Sequence, residues 1–110
     1  MQDWPDREHY TAEDLVQIIR ILRDPETGCP WDKVQTHASI RKNFLEETCE
    51  ALEAIDADDA DMLREELGDV LMQVAFHVVL EEERGRLNFE QVCREAVSYT
   101  HLTLPTKLEV

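Results

Sequence analysis

Apolar residues recur along the chain with helical spacing. Leu15, Ile18, Ile19 and Leu22 follow Thr11, with Asp14 three residues on, which predicts a first helix opening on a capping box. It stops near Asp24-Pro25, because the residue before a proline is pushed out of the α region. A loop, Glu26 to Thr36, precedes a second helix from about Ala38 to Ala57, with Ile40, Phe44, Ala51 and Ile55 on one side and Leu45 and Leu52 beside them. After a short acidic turn, a third helix begins near Asp59 and ends at Gly85, a C′ glycine after Arg84. A fourth, shorter helix begins at Asn88, with Gln91 three residues on. The pattern is all-α and has no internal repeat.

The third helix is unlike the others. From Leu67 to Leu80 it is apolar nearly all round, so it is buried on several sides. Three flanking helices would leave part of it bare, so a homo-oligomer, a dimer or larger, is expected. One polar stripe interrupts it: Glu66, Asp69, Gln73 and His77 share an arc of ~80°. Acids on a buried helix are costly unless paired or bound to metal.

The 110 residues fit one domain. Eleven Lys and Arg against 25 Asp and Glu give a formal net charge of −14, which disfavours polymeric nucleic acid and anionic membranes as partners. Cys29, Cys49 and Cys93 have neither CxxC nor zinc-ligand spacing, so free thiols in a cytoplasmic protein are expected, with Cys49 and Cys93 as small core residues. The N-terminus has no basic segment followed by an apolar run, and no apolar stretch reaches the ~20 residues of a membrane span.

Glu46, Glu47 and Glu50 on the second helix, with Glu66 and Asp69 on the third, carry the candidate chemistry. Carboxylates three apart stand ~5–6 Å from each other on a helix. Two such pairs on facing helices would form a cage of hard oxygen donors, which suits Mg²⁺, and such cages serve phosphate esters. Three alternatives stay open: a solvated acidic face, an ion pair from Asp69 to Arg41 or Arg64, and a cation held for stability alone. His77 reads as a hydrogen-bonded core histidine outside the metal shell. Trp31 reads as a hydrophobic plug or a base-stacking platform, and Lys33 as an ion-pair partner or a phosphate contact.

The loop Gly28-Cys29-Pro30-Trp31-Asp32-Lys33-Val34-Gln35-Thr36-His37, followed by Leu45-Glu46-Glu47-Thr48-Cys49-Glu50 and Glu65-Glu66-Leu67-Gly68-Asp69, resembles the MazG-type nucleoside triphosphate pyrophosphohydrolases over roughly residues 10–97. The resemblance implies an all-α dimeric fold and Mg²⁺-dependent hydrolysis between the α- and β-phosphates, with Mn²⁺ as a substitute cation. Carried over by position, Glu47, Glu50, Glu66 and Asp69 would hold the metal and Glu46 would orient or deprotonate the attacking water. Trp31, Asp32 and Lys33 would lie at the nucleotide, Trp31 near the base and Lys33 near the phosphates.

Two features depart from the family's pattern. Where the family continues into a basic segment, residues 98–110 are threonine-rich, with a proline and no helical stripe. The expected organisation is therefore a polar arm over 1–10, a helical domain over 11–97, and an atypical tail over 98–110 that is non-native or disordered. The loop is also of the kind found in the first domain of tandem members, where one half serves assembly. A catalytically weak dimerisation or regulatory half-domain is thus the alternative to an active enzyme.

Overall fold

The computed structural model describes the backbone of residues 8–109 and the side chains of residues 8–99. Most of the expected polar arm, residues 1–7, lies outside them. Four α-helices follow in order: α1 Ala12–Leu22, α2 His37–Asp56, α3 Ala60–Glu83 and α4 Phe89–Glu109, with a single 3₁₀ turn, Asp32–Val34, before α2. No strand occurs among the described residues. The all-α reading therefore holds.

The helix starts follow local chemistry. Thr11 caps α1 and forms the capping box with Asp14, while Thr36 caps α2 through Ser39. The Asp59 side chain accepts from Met62 N–H to open α3. Asn88 and Gln91 exchange side chain-to-backbone hydrogen bonds at the start of α4. α3 ends at Arg84, and Gly85 turns the chain with φ +70°, a conformation that favours glycine.

α2 and α3 form a long antiparallel hairpin, and α1 lies against the C-terminal half of α3. Val16 and Ile19 of α1, Ile40 of α2, and Ala75, Phe76, Val79 and Leu80 of α3 make the core, with Leu15, Leu22 and Phe89 packed around it. α1 is 11 residues long, about 16 Å, against about 36 Å for the 24 residues of α3. The other half of the hairpin consequently stands bare. Leu67, Leu71 and Met72 of α3 and Leu45, Leu52 and Ile55 of α2 are exposed.

Several sequence expectations need correction. Ile55 is exposed, although Ala51, expected on the same side, is buried together with Ala54, because α1 ends before covering that part of α2. Cys49 and Cys93 are exposed rather than buried, and both are free, as is Cys29. The fourth helix is not short: its backbone continues through residues 98–109 to Glu109.

Candidate metal centre and the loop at the far end of α3

The acids converge where α2 and α3 run side by side beyond α1. Each of Glu47, Glu50, Glu66 and Asp69 offers one carboxylate oxygen, and the four oxygens lie within 4.8 Å of one another. Glu50 stands opposite Glu66 and Glu47 opposite Asp69, close enough for a protonated carboxyl to hydrogen-bond its neighbour. Hydrogen bonding to Glu50, reinforced by desolvation and by repulsion from Glu50, Asp69 and Glu47, pushes Glu66 up to about 7. Desolvation first, then repulsion from Glu50 and Asp69, raises Glu47.

Glu47 Oε2 and Glu66 Oε2 are buried and accept no hydrogen bond. Converging acids that keep buried lone pairs bare form a donor set suited to a hard divalent cation. Arg64 reaches Asp61 at 3.4 Å, and no ion pair to Asp69 forms among the described residues. Glu46 is not part of the convergence. It lies on the exposed side of α2, with Lys42 Nζ 3.8 Å from its carboxylate.

The loop residues occupy the other end of the hairpin. Arg23 organises them: Nε and Nη2 donate to the two carboxylate oxygens of Glu83 at 2.7 and 2.8 Å. Its Nη1 donates to the carbonyls of Asp32 and Gln35 at 2.8 and 2.9 Å. The guanidinium also lies 5.7 Å over the Phe76 ring. Gln35 Nε2 donates to the Trp31 carbonyl, and its Oε1 accepts from Ser39 Oγ. Lys33 Nζ donates to the Pro25 carbonyl at 3.3 Å. Trp31 is 59 % exposed, so it is not a buried plug. Asp32 opens the 3₁₀ turn.

Glu83, where this loop is tied, is 14 residues beyond Asp69, about 20 Å along the helix. Within one chain, then, the four acids meet, while Trp31, Asp32 and Lys33 stand apart from them.

A second cluster fills the seam between these ends. His37 Nδ1 and His77 Nδ1 are 2.6 Å apart, and His37 Nε2 is 2.7 Å from Glu81 Oε1. Arg86 donates to both Glu81 oxygens at 2.7 and 2.9 Å, and Arg84 reaches Oε1 at 3.4 Å. Arg86, then His37, hold the Glu81 carboxyl down to about 2. Desolvation, followed by the nearby His37, lowers His77. His77 is the hydrogen-bonded histidine expected, with Phe44 stacked at 5.4 Å. His37 and Glu81 went unnoticed as its partners, although the register contains the signal. With Glu50 opposite Glu66 and Glu47 opposite Asp69, counting back along α2 and forward along α3 sets His37 between His77 and Glu81.

Comparison with known proteins bears on the same residues. The MazG nucleotide pyrophosphohydrolase domain matches residues 35–100, a stretch that includes all four acids. The chain belongs to the MazG family. The nucleoside triphosphate pyrophosphohydrolase of Escherichia coli K12 is 53 % identical over 79 residues, 72 % of this chain and 30 % of that protein. The nucleoside triphosphate pyrophosphohydrolase/pyrophosphatase MazG of Thermotoga maritima is 51 % identical over 82 residues, covering 74 % of this chain and 32 % of that protein. YabN of Bacillus subtilis, uncharacterised, is 51 % identical over 77 residues, 70 % of this chain and 16 % of its own. The chain thus spans a third or less of the length of these relatives.

Proposed function

We propose that this MazG domain hydrolyses nucleoside triphosphates between the α- and β-phosphates, giving a nucleoside monophosphate and pyrophosphate with Mg²⁺ as cofactor. The observation that carries this reading is the convergence of Glu47, Glu50, Glu66 and Asp69 within 4.8 Å on two facing helices. These four residues would hold the cation, and Mn²⁺ would serve in its place. When bound, the cation supplies a lowered pKa at a coordinated water and neutralises charge on the triphosphate. Glu46, one residue from Glu47 and open to solvent, would orient the attacking water or take its proton.

An acidic protein repels a bare triphosphate, so substrate and metal would enter together. The exposed face of Leu67, Leu71 and Met72 supports assembly into a dimer or larger oligomer, which would cover the bare half of the hairpin. Assembly would also be the way to bring Trp31, Asp32 and Lys33 to a nucleotide, since their own cage lies about 20 Å away. No described helix is long and apolar enough to cross a membrane, and the three free thiols fit a cytoplasmic setting.

The separation of loop and cage favours one alternative, a weakly active half-domain whose main work is assembly within a longer chain. Product analysis distinguishes the two. Monophosphate plus pyrophosphate from a panel of triphosphates, abolished by EDTA and by Glu50→Gln, establishes the enzyme. A folded, Mg²⁺-binding oligomer without turnover establishes the half-domain.

A further inference from the structure

Among the described residues, the buried side-chain atoms without a hydrogen-bond partner are Glu47 Oε2, Glu66 Oε2, Gln73 Oε1 and His77 Nε2. All lie on the α2–α3 seam. Those of Glu47 and Glu66 belong to the acid cage. Gln73 and His77 do not: they follow Asp69 along α3 at one and two turns, continuing the stripe. Buried polar atoms in folded proteins nearly always find partners, so an unfilled pair beside a ligand site points to something bound there.

Hydrogen-bond logic narrows what that something offers. Glu81, ionised between Arg84 and Arg86, can only accept, so His37 Nε2 must carry the proton between them. The Nδ1–Nδ1 contact of 2.6 Å holds one proton, which either ring can supply; taken as His77's, it makes His37 Nδ1 the acceptor. His77 Nε2 is then an acceptor, as is Gln73 Oε1 one turn away.

We propose that Gln73 and His77 extend the acid site with a pair of acceptors that receive a hydrogen-bond donor, and that His37 and Glu81 are positioning residues that keep His77 Nε2 bare for it. The donor is either an ordered water leading to the cage or an N–H of the nucleobase. The second source rests on the nucleotide reading; the first does not.

Nitrogen-15 NMR of the histidine rings in the full chain tests this, with four states compared: metal-free, Mg²⁺ alone, Mg²⁺ with tripolyphosphate, and Mg²⁺ with α,β-methylene ATP. His77 Nε2 is expected to resonate as an unprotonated, hydrogen-bonded nitrogen. If water is the donor, that signature is present in the metal-free protein; if the base is the donor, it requires the nucleotide and is absent with tripolyphosphate. Gln73→Met is expected to keep the melting temperature within a few degrees while lowering kcat/KM about tenfold. His37→Phe, which touches no ligand, is expected to release His77 into mixed tautomers and to cause a similar loss.

Finding His77 Nε2 protonated in all four states overturns the proposal, as does a Gln73→Met protein with unchanged kinetics and an unchanged His77 spectrum. Should the protein hydrolyse no triphosphate, the metal-free and Mg²⁺ spectra still decide whether His77 Nε2 accepts from water. A failed functional reading and a failed acceptor pair are thereby separable.

Discussion

Glu50 faces Glu66 across α2 and α3, close enough that a protonated Glu66 can donate to it, and this favours the protonated form. Glu66, raised to about 7 from an ordinary value near 4.5, contributes stability that is fully present below the ordinary value and lost as pH rises through about 7. A divalent cation bound there would take the protons' place. The rise in melting temperature on adding Mg²⁺ is therefore expected to be larger at pH 8 than at pH 5.5. Equal shifts at both pH values would refute cation–proton exchange at these acids.

Glu50→Gln removes one charge from the cluster. Mg²⁺ affinity measured by calorimetry is expected to fall at least about tenfold, since ligand charge count sets affinity at such sites. The metal-free variant is expected to melt at or above the parent at pH 8, because repulsion with Glu47, Glu66 and Asp69 is relieved. A lower melting temperature without metal would mean that Glu50 supports the fold itself.

At the other end of the seam the pH dependence has a different origin. Glu81, held down to about 2 by Arg86 and His37, contributes stability that is present above its ordinary value near 4.5 and lost as pH falls toward 2. Glu81→Gln should flatten the acid side of the stability profile, read as melting temperature between pH 6 and pH 2.5. A variant that loses stability as steeply as the parent would locate acid sensitivity elsewhere.

The bare half of the hairpin gives a prediction about assembly. Leu71→Glu places a charge on an exposed apolar face without entering the core. Light scattering is expected to show a smaller species than the parent at the same concentration, with helical content retained by circular dichroism. The same mass for both, larger than a monomer, would place the interface on another face.

Gly28 closes the loop after α1. A Cβ there would meet the Leu22 and Asp24 carbonyl oxygens at 2.4 and 2.5 Å, both backbone atoms that cannot swing away. Gly28→Ala is expected to cost about 1–3 kcal/mol in denaturant unfolding. A neutral substitution would show that the Arg23-bound loop yields more readily than its hydrogen bonds imply.

Much of this architecture was legible in the chain. Thr11 with Asp14, Asp59, Gly85 and Asn88 with Gln91 mark helix ends through local chemistry, which is why those boundaries agree with the structure to within a residue or two. The acid cage was also legible, because carboxylates three apart on two helices need only an antiparallel turn between them to meet. What periodicity could not supply is the extent of one helix over another. Ile55, Cys49 and Cys93 have core chemistry, yet they lie where the single chain provides no cover. The loop motif was legible, but what ties it down was not: Arg23 reaches the Asp32 and Gln35 carbonyls and, 60 residues on, the Glu83 carboxylate, contacts that no spacing rule reveals.

α1 shields only one end of the hairpin, and the carboxylates are grouped beyond its reach. Repulsion among ionised carboxylates would loosen that end, and a bound cation would draw it together. Any surface that docks on Leu52, Leu67 and Leu71 meets a different shape in each case. By thermodynamic reciprocity, whatever grips the shut form more firmly must slow the ion's escape, and the ion must in turn tighten that grip. Dilution and chelation would then loosen the same end of the hairpin.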